Sequence, residues 1–254
     1  MKQTKLDNIE VYIGQTADEA AERSASDFAA AVKALLAQQE EVNVILAGAQ
    51  SQQAFHKALV ARKDIDWHCI NALGVDDFHA PNIPMELSVC AQPQRDLYQY
   101  VKVKTIHIPN YAATDPQAER ARYENVLRKY PPDIACMGIG QSGHIAFNEP
   151  GCDFDDKLAV RVIDVCEESR KQLTSDPNFC DLDNIPSRGI TATIPVLRNA
   201  KYTFVNVPYV NKAPIVKALF DAKEITNEQP MTLFRDWPNV SLYLDAQSAS
   251  LLDA

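Results

Sequence analysis

The stretch Gly138-Ile139-Gly140-Gln141-Ser142-Gly143-His144-Ile145-Ala146-Phe147-Asn148-Glu149-Pro150 combines residue types that could do acid–base chemistry. It follows an apolar run, Asp133-Ile134-Ala135-Cys136-Met137, and then delivers a histidine, an amide and a carboxylate. Closely spaced glycines let a backbone turn sharply or approach a ligand. A histidine with a carboxylate nearby can be oriented by it and exchange protons near neutral pH. A lone Gly-x-Gly is ordinarily a strand-to-helix turn, but the whole string is richer than that. A second candidate is Asp76-Asp77, at the end of the apolar run Cys69–Val75. Adjacent carboxylates repel, which can raise one pKa into a useful range. Taken alone, such a pair also reads as a solvated turn or a helix cap.

Such residues need a scaffold, and the hydrophobic pattern supplies one. Ile9, Val11 and Ile13 alternate as a short strand, and Thr16 with Glu19 forms a capping box opening an alanine-rich helix to about Gln38. Further strands are expected over 42–47, 69–75, 105–108, 134–137, 158–165, 189–193, 201–207 and 240–244. Helices are expected over 51–61, 87–100, 212–220 and from Asp115-Pro116 to about Tyr130, where proline suits the first turn. The strand at 189–193 reads as antiparallel or at an edge. Alternation of this kind implies one α/β domain over residues 1–254, with a mainly parallel sheet and helices on both faces. Ligands bind such sheets beyond the carboxyl ends of the strands. Gly48, Asp76-Asp77, the 138–149 string and 206–212 all follow strands and obey that rule.

The chain has 254 residues, 46% hydrophobic and 23% charged, with a formal net charge of −9. That acidity argues against nucleic acid or a membrane surface as partner, both of which favour basic patches, but permits a small anion held by local cations. The cysteines (Cys69, Cys90, Cys136, Cys152, Cys166 and Cys180) show no metal-ligand spacing and read as reduced and structural. His56, His68, His79 and His107 have no metal spacing either. No metal or other cofactor is implied. The start, Met1-Lys2-Gln3-Thr4-Lys5, lacks the apolar stretch of a signal peptide, and no long apolar span exists, so a cytoplasmic protein is expected.

The 138–150 string resembles the signature of the glucosamine-6-phosphate deaminase (isomerase) family, which reads Gly-x-Gly-x-(Asp/Asn)-Gly-His-Ile-Ala/Gly-Phe-Asn-Glu-Pro. The match covers Gly138, Gly140, Gly143, His144, Ile145, Phe147, Asn148, Glu149 and Pro150. Related 6-phosphogluconolactonases carry the Gly-His pair, but the Phe-Asn-Glu-Pro tail favours the amino-sugar branch. The resemblance extends in order along nearly the whole chain and implies a Rossmann-like fold shared with ribose-5-phosphate isomerases and coenzyme A transferases.

The resemblance implies a role for each matching residue. Leu73-Gly74-Val75-Asp76-Asp77-Phe78 is similar to the family's strand ending in Asp-Glu-Tyr, which makes Asp76 the base moving a proton between C1 and C2 of an open-chain sugar and Asp77 a support for the amine. His144 corresponds to the ring-opening histidine and Glu149 to the carboxylate that orients it. Ser142 stands where the family has Asp or Asn. A hydroxyl can bond the imidazole but cannot stabilise imidazolium by charge. Arg170, in Glu168-Ser169-Arg170, and Lys212, in Asn211-Lys212-Ala213, match the phosphate-gripping pair. Gly138 and Gly140, with Gly48 and Ser51 of the first loop, complete the implied substrate site.

That first loop departs from the family pattern. Pro-Thr-Gly-Gly-Thr-Pro appears here as Ala47-Gly48-Ala49-Gln50-Ser51-Gln52, with side chains where backbone amides should face phosphate. Tyr209 occupies a place where the family commonly has glycine. The family's allosteric residues are not matched at Cys152, Asp153 and Ala159. The implied partner is a small sugar phosphate, and a homo-oligomer stays open because oligomeric state varies in the family. Two readings follow: a hexosamine 6-phosphate deaminase, or a catalytically weak paralogue that binds a sugar phosphate as a sensor or interaction protein. A related phosphosugar isomerase or lactonase is a further alternative.

Overall fold

A computed structural model describes residues 1–173 and 185–252; Cys180 lies outside the described residues. In chain order the strands are β1 (Lys2–Leu6), β2 (Ile9–Gly14), β3 (Val42–Leu46), β4 (Ile70–Gly74), β5 (Asp76–Phe78), β6 (Thr105–His107), β7 (Ile134–Met137), β8 (Val160–Asp164), β9 (Arg188–Ala192), β10 (Tyr202–Asn206) and β11 (Val240–Asp245). The helices are α1 (Ala17–Leu36), α2 (Gln53–Ala61), α3 (Ala91–Pro93), α4 (Pro116–Lys129), α5 (Glu167–Leu173), α6 (Ile194–Arg198) and α7 (Ala213–Asp221). Eight strands form the central sheet in the order β1-β2-β11-β10-β7-β3-β4-β6. All its pairings are parallel except the β1–β2 hairpin.

The inner strands are apolar on both sides because helices cover both faces. Val44, Leu46, Cys136 and Phe204 point to one face, against Phe28 of α1 and Phe55 and Leu59 of α2. Ile45, Ala135, Met137 and Val205 point to the other, against Tyr123 and Leu127 of α4, Leu197 of α6 and Val216 of α7. Local caps fix where helices begin. Thr16 Oγ1 accepts from the Glu19 N–H at 3.2 Å while the Glu19 carboxylate accepts from Gln15 N–H at 2.6 Å. Asp115 accepts from the N–H groups of Gln117 and Ala118, with Pro116 in the first turn.

Besides the short helices α5 and α6, which were not expected, three features differ from the expectation. β1 pairs with β2 on the sheet's edge, where its exposed residues give no hydrophobic signal. The long helix expected over 87–100 is instead a 3₁₀ turn (Met85–Leu87), the short α3 and a π-helical turn (Gln94–Tyr98). Pro93 has no N–H to donate, so a regular ladder cannot run through it. Finally, Asp76-Asp77-Phe78 is itself a strand, the edge of a second, antiparallel sheet ordered β5-β9-β8. Val75 joins the two sheets: its N–H donates to Leu46 O of β3, and its carbonyl accepts from Ala192 N–H of β9. The carboxyl ends of β3, β4, β7 and β10 therefore open onto one side of the molecule.

Candidate active site

A cavity of about 220 Å³ opens there, walled by the segments that follow those four strands and by the 86–95 segment. Asp76, Gly48, Ser51, Gly138, Gly140, His144 and Lys212 line it, as does Ser169 of α5. The turn bearing His144 is held from beneath. Asn148 Nδ2 donates to Ile145 O and to Ala192 O, both at 2.9 Å, tying the turn to β9. Gly143 takes φ 85° to make the turn. A Cβ on Gly140 would sit 2.1 Å from His144 Cε1 and Nε2, so only glycine lets the imidazole lie there.

The Nδ1 edge of His144 is crowded with oxygen. Ser142 Oγ lies 2.8 Å away, Ser169 Oγ 3.0 Å and Glu149 Oε2 3.4 Å. Ser169 Oγ donates to Glu149 Oε2 at 2.9 Å and so bridges carboxylate and ring. Cys166 Sγ adds a weaker bond to the same oxygen at 3.3 Å. Burial pushes the Glu149 carboxyl up, but bonds from His144, Ser169 and Cys166 outweigh it and hold the pKa below the usual value. A carboxylate there favours a proton on Nδ1 and leaves Nε2 for the cavity. Neither Ser169 nor Cys166 was singled out from sequence. Ser169 was legible only as the neighbour of Arg170.

The two aspartates are opposites. Asp77 faces away from the cavity and accepts from Phe78 N–H (2.8 Å), Ser88 Oγ (2.5 Å), Val89 N–H (2.8 Å) and Cys90 N–H (3.3 Å). Burial raises its pKa to about 6, against the pull of those donors. It fastens the 88–90 segment over the site rather than reaching an amine in the cavity. Asp76 faces the cavity, and its pKa is raised to about 8, first by burial and then by the negative charges of Asp77 and Glu149.

The expected phosphate residues separate in a similar way. Lys212 is buried at the cavity wall, with Nζ donating to Ile139 O at 2.8 Å, and burial lowers its pKa to about 8. The Arg170 guanidinium donates from Nη2 to Ile185 O at 3.0 Å, and Arg170 is not on the cavity wall. Arg95, which the sequence did not single out, is on that wall, with Nη1 donating to Glu86 O at 3.1 Å. Gly48 is pressed against the covering segment: a Cβ there would lie 2.0 Å from Val89 O. Its neighbour Ala49 accepts from Gln92 Nε2 at 2.8 Å.

A parallel α/β sheet with a carboxyl, an oriented imidazole and a buried lysine at its carboxyl edge defines a class of acid–base enzymes acting on small anionic substrates. The family model for glucosamine-6-phosphate isomerases/6-phosphogluconolactonase matches residues 15–241, and the chain belongs to that family. A glucosamine-6-phosphate deaminase of Listeria welshimeri is 31% identical over 215 residues, covering 84% of this chain and 88% of that protein. One of Exiguobacterium sp. is 36% identical over 155 residues, 61% of this chain and 59% of that protein. The solved structure of a monomeric glucosamine-6-phosphate deaminase shares the fold, with a TM-score of 0.83 at 24% identity over 95% of this chain and 99% of that one. Among the described residues no helix is long and apolar enough to cross a membrane.

Proposed function

We propose that the chain is a single-domain cytoplasmic enzyme that converts a hexosamine 6-phosphate and water to a ketohexose 6-phosphate and ammonia. The observation that carries this reading is the joint placement of Asp76, His144 and Lys212 on one cavity, with Glu149 behind the imidazole. As the imidazolium, with Nδ1–H turned to Ser169 and Glu149, His144 donates its Nε2 proton to the ring oxygen as the C1–O bond breaks, and Nε2 then takes the C1 hydroxyl's proton as the aldehyde forms. Asp76 then takes the proton from C2 and returns it at C1 while O1 takes a proton from the substrate's ammonium, leaving a 2-iminium that adds water and releases ammonia. The substrate's ammonium favours the carboxylate form of Asp76, offsetting the burial that raises its pKa. Lys212 and Arg95 supply the positive charge for the phosphate, a point charge and a fork respectively. Arg170 is a phosphate residue in this reading only if α5 moves toward the cavity. Asp77 supports catalysis by holding the 88–90 segment in place.

The test is ammonia release from glucosamine 6-phosphate and galactosamine 6-phosphate, with 6-phosphogluconolactone hydrolysis as the control reaction. Turnover of either amino sugar supports the proposal. Lactone hydrolysis alone would move the chain to the other branch of its family. Stabilisation by these ligands without turnover would favour the sensor, for which the filled Ala49-Gln50 loop is the structural argument.

A further inference from the structure

Thr191 of β9 stands directly opposite Asp76 of β5 in the antiparallel pair of the small sheet, so the two side chains share a face. Thr191 is buried, and its hydroxyl works in both directions. The O–H donates to Ala192 O at 3.1 Å, and Oγ1 accepts from Phe147 N–H at 3.2 Å. The residues around that N–H hold it in place. The Phe147 ring lies 5.4 Å from that of Phe78, and its Cδ2 is 2.7 Å from where a Cβ on Gly189 would stand. Asn148 Nδ2, bonded to Ala192 O at 2.9 Å, ties the next residue to β9. The same N–H also acts on Asp76. Burial and the negative charges of Asp77 and Glu149 raise the Asp76 pKa, and the Phe147 N–H is the smallest influence, pulling it down. Burial lifts Asp77 too, but with four donors it reaches only about 6. A donor aimed at a carboxylate thus weakens it as a base. Other ionisable groups surround the aspartate: His144 and Lys212 on the cavity wall, and Cys90, whose Sγ donates to Asp76 O at 3.2 Å. Arg161, opposite Thr191 on β8, is paired with Asp156.

We infer that Thr191 is a positioning residue for the base of this site: by taking the Phe147 N–H, its hydroxyl withholds from the Asp76 carboxylate a backbone donor that would otherwise weaken it. The inference rests on the reading of Asp76 as the base of the proposed reaction. Thr191 touches no reacting atom; it acts through the amide that it shares with Asp76.

The experiment compares the wild type with Thr191→Val, which keeps the shape and removes the hydroxyl, and Thr191→Ser, which keeps the hydroxyl. It measures the pH dependence of kcat/KM with glucosamine 6-phosphate. In Thr191→Val the freed Phe147 N–H should turn to Asp76 and move the acid limb of kcat/KM down by about one pH unit. Thr191→Ser should keep the limb where the wild type has it. A limb in Thr191→Val that stays or moves up would overturn the inference, as would a Thr191→Ser limb displaced like that of Thr191→Val. A second measurement needs neither turnover nor a folded variant. The amide proton of Phe147 is followed by NMR in the wild type through the pH range in which Asp76 ionises. An N–H held by Thr191 should shift little, whereas a large downfield shift would mean that it already serves the carboxylate and would overturn the inference. A wild type that releases no ammonia from amino sugar phosphates would overturn the deaminase reading, and the amide titration would still decide whether Thr191 holds the Phe147 N–H.

Discussion

At the scale of single residues, the site works by giving neighbouring groups unlike environments. Asp76 and Asp77 are adjacent in sequence, yet one has four donors and the other faces a cavity beside two negative charges. With its pKa near 8, Asp76 in the empty site holds a proton at neutral pH. An essential base of this kind should make kcat/KM climb with pH up to about 8, because that ratio reports the free enzyme. Asp76→Asn should lower turnover by ~10²–10⁴-fold, the usual worth of general acid–base catalysis, with substrate binding retained. Turnover near wild type in Asp76→Asn would remove it from the reaction. Ser169 is the second residue on which the chemistry depends, since its hydroxyl spans His144 Nδ1 and Glu149 Oε2. Ser169→Ala strips a donor from a largely buried carboxylate, an effect of ~1–3 kcal/mol, and should cut kcat about tenfold and shift its pH profile. Ser169→Thr keeps the hydroxyl and should restore most of both; equal loss in Thr and Ala would mean that packing, not the hydroxyl, is what matters.

At the scale of elements, Gly140 couples the end of β7 to the imidazole that lies against it. In Gly140→Ala the new methyl must displace the His144 ring, because no rotation of Cβ avoids a contact of 2.1 Å. The expected result is a folded protein, with far-UV circular dichroism unchanged, that has lost most of its turnover; full activity would show that the imidazole need not lie against this turn. Much of this level was legible in the sequence. Val42–Leu46 and Ile134–Met137 announce themselves as buried central strands, and Thr16 and Asp115-Pro116 mark helix starts, because these signals are local. The 138–149 string likewise pointed to the carboxyl end of β7. The β5 strand was hidden because three residues, two of them acidic, become a strand only by pairing with Gly189–Thr191. The single helix expected over 87–100 is absent because the order of this segment comes from Asp77, which gathers the N–H groups of Val89 and Cys90 from afar. Arg95 and Ser169 carry no motif; their places on the cavity are set by tertiary packing alone.

At the scale of the whole molecule, the groups that serve the cavity are those that destabilise the fold, and their pH windows separate them. The Asp76 carboxyl has a native pKa near 8 against about 3.9 unfolded, so between those values the native state binds more protons. Stability must then fall as pH rises from about 4 to 8. Buried His56 acts in the other sense: its pKa is lowered to about 4 by burial, so the native state resists protonation and stability falls as pH drops from about 6.5 to 4. The two oppose each other in that lower window, and from about pH 6.5 to 8 Asp76 acts without His56. Lys212, lowered by burial to about 8, costs stability throughout the range below that pH and recovers it only as the pH climbs toward 10.4. In the empty protein, thermal melts should therefore show Tm declining between pH 6.5 and 8, and Asp76→Asn should remove the decline. At about 1.36 kcal/mol per pH unit, the difference reaches up to about 2 kcal/mol over this window. That corresponds to several degrees for a protein of this size. The same substitution that lowers turnover should thus make the protein more stable at pH 8 and leave it close to wild type near pH 4. Melting curves of Asp76→Asn that run parallel to wild type across this range would mean that Asp76 ionises normally in the folded protein, and the origin of its basicity would have to be sought in the bound substrate.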